Sequence, residues 1–261
     1  MIVCALEEGQ QSSAATAFAA WLSESLALPL RLDSADPPDE LTALSARPET
    51  RLIVVGVGDG PAQLETILSK VDASPTPVVV LPEGATGVWE NPHRARRTVR
   101  PNVVCGTDGS PIAAGATAIA AELAARLDGR LVVVHAVGEP LPRESSTAAT
   151  SIDGVWGPIR ATARSELVSR ALAELRKAPS EVCFRELHGD PVEVIDRVGA
   201  AESAAMIAVG SRGLGRARLA LSGSIAASLL KRATHPVLVI PPRVTHVAAA
   251  TSAERESTLV P

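Results

Sequence analysis

Two stretches in opposite halves of this chain read alike, and that likeness restricts the fold more than any other feature. "IVCALEE" near the start aligns with "VVCGTDG", so that Cys4 meets Cys105 and Glu7 meets Asp108. At the same offset, "SAATAFAAWLSESL" leads to "PLRLDSA" and places Ala35 over Ala136. Further on, "RLIVVG…SPTPVVVLPE" echoes "AMIAVG…ATHPVLVIPP", with Pro77 over Pro236. Matches that recur in one order predict a tandem duplication of a single supersecondary plan.

The second half shows that plan in full. "NVVCGTDGS" reads as a short apolar strand closing on a turn, and "PIAAGATAIAAELAARLDG" as a helix after it. Ser110 is placed as its N-cap, Pro111 at its first turn and Asp128-Gly129 as its stop. Ile112, Ala116, Ile119, Ala120, Leu123 and Leu127 form its expected apolar stripe. "RLVVVHAV" is a continuous apolar run, as a parallel strand covered on both faces requires. After a polar loop come a helix near Pro158–Lys177, the strand "EVCFREL", and a helix capped by Asp190 with Pro191 and Glu193 behind it. The strand "AMIAVG", a helix from about Gly223 to Thr234 and the strand "PVLVI" complete the order. Strands and helices alternating in this way predict an α/β fold, an open parallel sheet of Rossmann-like type with right-handed crossovers.

The first half is a shortened copy. Between Ala35 and Arg51 there is room for one short helix, so one helix and one strand of the plan are missing. The expected organisation is a shortened domain at 1–83, a turn-rich basic linker at 84–100, a full domain at 101–242 and a tail at 243–261. Arg94, Arg96 and Arg97 read as solvated linker charges rather than an anion patch.

Composition narrows the function. The chain has 261 residues, 46% of them hydrophobic and 21% charged, which is ample for packed cores. Aromatic residues make up 2%, too few for base-stacking platforms, and a net charge of -4 offers no general attraction to nucleic acid. Cys4, Cys105 and Cys183 lie in apolar runs without metal-ligand spacing, and an odd count suits a reducing compartment. No apolar run reaches the roughly 18 residues of a membrane span, and the N-terminus lacks a basic leader, so a cytoplasmic protein is expected.

An anionic ligand would therefore have to be met by local donors. Ligands of open α/β sheets bind beyond the carboxyl ends of the strands. There, glycines admit a close approach of backbone, and a helix N-terminus offers unpaired N–H groups with about half a positive charge. The loop "VGSRGLGRARLALSGS" after "AMIAV" lies at such a position, as does "TDGS". The chain lacks G-x-x-x-x-G-K-[ST], and in "GVGDGP" Pro61 stands where a dinucleotide fingerprint needs its third glycine. What it contains is G-x2-G-x9-G-[ST]: Gly210, Gly213 and, nine residues on, Gly223-Ser224. His135 reads as a satisfied core histidine, and His188 and His235 as lone turn histidines. No Ser-His-Asp or paired-carboxylate arrangement is present.

This spacing resembles the nucleotide-binding signature of the universal stress protein family. "VVCGTDGS", "VVVHAV", "GDPVEVI", "VGSRG" and "HPVLVIPP" follow in the order that family shows. The resemblance implies a fold of the adenine nucleotide alpha hydrolase-like kind, with ATP, with or without Mg2+, bound by the second half. It assigns Thr107 and Asp108 to the ribose or phosphate-metal region and Ala136 to backbone contact with adenine. Gly210, Gly213, Gly223 and Ser224 would hold ribose and phosphates, with Arg212 beside them. In the first half Leu64 and Glu65 replace Gly223 and Ser224, so one nucleotide per chain is expected. The resemblance further implies an intramolecular pseudo-dimer of the two halves through their last strands, with room for a homodimer of chains. It implies a stress or regulatory module without a catalytic residue, capable at most of slow ATP hydrolysis or autophosphorylation. The alternative is a scaffold of the same fold that mediates protein association without a nucleotide.

Overall fold

The computed structural model describes residues 1–6, 14–34, 37–57, 61–82, 84–90, 100–137, 179–211 and 225–244. The helix expected near 158–177, Glu7, the arginines of 91–99 and the tail from 245 lie outside them.

In the first half β1 (Ile2–Leu6), α1 (Ala14–Leu26), β2 (Leu30–Ser34), α2 (Pro37–Ser45), β3 (Leu52–Gly56), α3 (Pro61–Ala73) and β4 (Val78–Leu81) alternate. The second half supplies β5 (Asn102–Thr107), α4 (Pro111–Arg126), β6 (Arg130–Val137), β7 (Glu181–His188), α5 (Pro191–Ala201), β8 (Ala204–Gly210), α6 (Ile225–Leu230) and β9 (Val237–Ile240). The nine strands among the described residues join one sheet in the order β2-β1-β3-β4-β9-β8-β5-β6-β7. Every pairing is parallel except that of β4 with β9, where Val78 faces Val239 and Val80 faces Val237. From the β4–β9 joint outward, the strands run β4-β3-β1-β2 on one side and β9-β8-β5-β6-β7 on the other. The first half's side thus has one strand fewer and ends at β2, where Leu32 is left exposed.

Strand residues are apolar on both faces because helices cover both. α1 and α4 pack on the face of Ile2, Cys4, Val103 and Cys105, while α2, α3, α5 and α6 cover the opposite face, including Val3, Val104 and Val209. The halves match in backbone detail: Ala27 after α1 and Asp128 after α4 both adopt left-handed conformations, φ 50° and 52°. They differ in how α1 and α4 are packed. α4 presents Ala113, Ala116, Ala120, Ala121 and Ala124 to the sheet, whereas Ile112, Ile119 and Leu123 are only half-buried. Ala116, Ala120 and Leu127 of the expected stripe are buried, and the buried face is rotated from it toward the alanines, with Ile119 and Leu123 packed at its margin. α1 instead buries Phe18, Trp21 and Leu22. Trp89, on a 3-10 turn at Val88–Glu90, closes this cluster, its ring edge-on to Phe18 at 5.0 Å. Part of the segment expected to be linker thus belongs to the first half's core.

Both caps form as expected. Ser110 Oγ accepts from Ala113 N–H at 3.1 Å, and Asp190 accepts from the N–H groups of Val192 and Glu193. Glu193 itself accepts from Arg232 at 3.4 Å. α6 ends at Leu230, earlier than the end expected at Thr234, and the expected start at Gly223 lies outside the described residues. Val244, read as tail, packs against the core beside α1 and α4.

Candidate functional site

The order β9-β8-β5-β6-β7 contains one place where the chain reverses its direction of progress across the sheet. From β5 it moves outward through β6 to β7, then returns to β8 on the other side of β5. Connections leave the carboxyl ends of β5 and β8 in opposite directions, and the crevice between them is where open α/β sheets place ligands. Thr107, Asp108 and Gly210 lie at that crevice, and Ala136 lies one strand away at the end of β6.

The turn after β5 is built by its own side chains. Gly109, at φ 73°, donates its N–H to Thr107 Oγ1 at 3.1 Å, and Ser110 N–H donates to Asp108 Oδ1 at 2.9 Å. These bonds commit one Asp108 oxygen to the backbone and hold its half-buried carboxylate at the start of α4. His135 braces the turn from the next strand, its Nδ1 lying 2.9 Å from the Thr107 carbonyl oxygen. Nδ1 must be the donor there, because a carbonyl can only accept. The histidine is buried, 5% exposed, which fits the core reading of its role.

The adenine contact expected at Ala136 has a backbone basis. β5 pairs with β6 only as far as Thr107 with His135, whereas β6 continues alongside β7 through Ala136 with Leu187 and Val137 with His188. Backbone groups of Ala136 and Val137 that face the β5 side therefore stand outside the β5 ladder. One amide and one carbonyl at a strand end can read an adenine edge whatever the side chain.

Gly210 ends β8, paired with Ile240 of β9. The next residue, Ser211, donates its N–H to the Ile240 carbonyl at 2.9 Å, and its hydroxyl lies 3.0 Å from Asp72 Oδ1. Asp72 belongs to α3 of the other half, and sequence reading did not find it. The one available signal was the prediction that β4 and β9 meet, which carries the end of α3 toward this edge. Gly106, within β5, was also missed: a Cβ there would stand 2.5 Å from Ile195 Cδ1 of α5. Arg212, Gly213, Gly223 and Ser224 lie outside the described residues.

At the matched place in the first half the chemistry differs. α3 already begins at Pro61, and Leu64, in the position matched to Gly223, is buried in the core with 5% exposure. A helix turn closed by a core leucine has no glycine backbone to offer a phosphate. Away from this edge, burial shifts three titratable groups. Burial pushes the Cys4 thiol up to about 12 and that of Cys105 up to about 11, the Thr117 hydroxyl at 3.6 Å partly opposing the second shift. Burial also lowers the pKa of His235, against a weaker opposing pull from Asp196. Among the described residues no cluster of His, Cys, Asp or Glu is arranged to hold a metal ion, and no helix is long and apolar enough to cross a membrane.

Comparison with known proteins agrees with this fold. Residues 100–241 match the model of the universal stress protein family. A universal stress protein from Archaeoglobus fulgidus DSM 4304 shares the fold at TM-score 0.51 and 21% identity, over 82% of this chain and 67% of that one. A candidate universal stress protein from Pseudomonas aeruginosa UCBPP-PA14 aligns at TM-score 0.50 and 16% identity, over 96% of this chain and 86% of that one. Another universal stress protein, solved in complex with cAMP, is 24% identical over 56% of this chain and 99% of its own, at TM-score 0.40. No curated protein matches the chain.

Proposed function

The chain belongs to the universal stress protein family, and from that premise we propose that its second half binds ATP as a nucleotide-dependent regulatory module, one nucleotide per chain. The observation that carries this reading is the convergence of Thr107, Asp108, Ala136 and Gly210 on the carboxyl edge at the β5/β8 reversal. In this reading the Ala136 backbone reads adenine, and Asp108 faces the ribose or a metal accompanying the phosphates. Gly210, Gly213, Gly223 and Ser224 of G-x2-G-x9-G-S, with Arg212 beside them, take ribose and phosphates through backbone N–H groups and hydroxyls. The first half serves as the partner in an intramolecular pseudo-dimer joined at β4 and β9. The assignment is to binding, not to catalysis.

The test is calorimetric titration of the full chain with ATP, together with mass spectrometry of ligand released from natively purified protein. Gly223→Val places a branched side chain where the phosphates would meet backbone. It should lower ATP affinity by about a hundredfold or more, in the range of losses seen when a buried polar ligand group is left unpaired. An unchanged circular dichroism spectrum with unchanged affinity would remove the proposed site. Absence of any nucleotide binding by the wild-type chain would favour the association scaffold instead.

A further inference from the structure

The antiparallel joint between β4 and β9 has an effect on the second half's site. Because β4 runs against β9, the amino end of β4 lies beside the carboxyl end of β9. β8 runs parallel to β9 and ends at the same edge. α3 enters β4 at that end, so its last turn is brought to the carboxyl edge of the half that it does not belong to. There Ser211 Oγ donates to Asp72 Oδ1 across the joint at 3.0 Å.

We propose that Asp72 is a positioning residue for the nucleotide site: by accepting from Ser211 it fixes the carboxyl end of β8 next to Gly210. The inference rests on the nucleotide reading above. Ser211 is buried at 6% exposure, and a hydrogen bond to an ionised carboxylate is of the stronger kind. The helix that carries Asp72 is itself fixed, with Ile67, Leu68 and Val71 in the core. Sites that must hold a ligand to a fraction of an ångström need such support behind them. Asp72 is not itself suited to be a phosphate ligand, since its charge has the wrong sign. It acts through Ser211.

The joint provides its own control. By the two-fold match of the halves, Val57 stands where Ser211 does and Lys231 where Asp72 does. Val57 N–H donates to Leu81 at 2.9 Å, repeating the bond of Ser211 N–H to Ile240. The main-chain contact is thus common to both ends of the joint, but valine has no hydroxyl to give and lysine no acceptor. The side-chain bond is present only at the end where the proposed site lies.

The test uses the full chain, ATP as probe, and the variants Asp72→Ala, Asp72→Asn, Ser211→Ala and the Ala/Ala double variant. Asp72→Ala and Ser211→Ala should each weaken ATP by about tenfold, the double variant no further, and Asp72→Asn, which keeps an acceptor, by no more than about twofold. Hydrogen exchange supplies the second readout. ATP should slow exchange at Leu68–Ala73 in the wild type and not in Asp72→Ala, a coupling that mere stabilisation of the fold would not produce. Without ligand, Asp72→Ala and Ser211→Ala should speed exchange at Val209–Ser211. Wild-type affinity in Asp72→Ala, or equal losses in Asp72→Asn and Asp72→Ala, would overturn the role given to this bond. A wild-type chain that binds no ATP would instead remove the nucleotide reading. The bond would then stand as a structural tie or fall by the ligand-free exchange alone, and unchanged exchange would remove it too.

Discussion

The two halves of this molecule share a backbone plan and diverge in what they do with it. Cys4 and Cys105 occupy matched buried positions in β1 and β5, and Thr16 and Thr117 matched positions on α1 and α4. Thr117 donates to the Ala113 carbonyl and sits against the Cys105 sulfur, whereas the buried hydroxyl of Thr16 has no partner among the described residues. Strand interiors, helix ends and left-handed turn residues recur because both copies must solve one packing problem. The carboxyl edges differ in their side chains: Ser211 bonds Asp72 at one end of the joint, and Val57 has no hydroxyl to give at the other. The comparison teaches that a sheet plan can keep its joining edge while the side chains at its carboxyl ends differ.

The largest effect that tests this difference is stoichiometric. Calorimetry should find one ATP per chain, and a second equivalent site would erase the functional distinction between the halves. Next in size is Phe18→Ala, which empties the aromatic cluster specific to the first half. It should cost about 3–5 kcal/mol in chemical denaturation while leaving ATP affinity of the folded fraction unchanged. If affinity falls in proportion, the first half contributes more to the site than a fixed support.

A smaller effect concerns the paired cysteines. Burial raises both thiols from the ordinary value of 9.0, Cys4 to about 12 and Cys105 to about 11. The folded state favours the neutral thiol, so this contribution is fully present below pH 9 and is lost as pH rises through 11 to 12. Wild type should therefore lose stability relative to Cys4→Ala and Cys105→Ala across that window. Thiolate absorbance should appear at lower pH for Cys105, and the reverse order would contradict the role given to Thr117. The smallest effect is at the matched turns. Ala27→Gly should raise stability by about 0.5–1 kcal/mol, by removing a left-handed alanine at some cost in unfolded-state entropy. Asp128→Gly should gain less, since aspartate tolerates that conformation better.

Much of the fold was legible because it rests on local signals. Pro111 and Pro191 behind capping side chains marked two helix starts, and the paired Pro-flanked runs marked β4 and β9. The single short helix between Ala35 and Arg51 was legible from chain length, and α2 (Pro37–Ser45) is the helix found there. The buried face of α4 was not legible, because alanine gives a weak hydrophobic signal and its fit depends on how near the helix lies to the sheet. Trp89 was hidden in a turn-rich segment whose composition suggested solvent. The positions of Thr107, Asp108, Ala136 and Gly210 at or beside strand ends were legible, while the roles proposed for them come from the family resemblance. The place of Asp72 was not legible, because its meeting with Ser211 depends on the direction in which two distant strands pair.

That pairing also bears on how the chain is made. Val78 finds its neighbour Val239 about 160 residues later, so at synthesis rates of roughly 5–20 residues per second the edge of β4 waits on the order of ten seconds. During that interval the nascent first half carries an open, wholly apolar strand of valines, a template for pairing with other chains. A strand buried beside the centre of the finished sheet is thus an open edge in the unfinished protein.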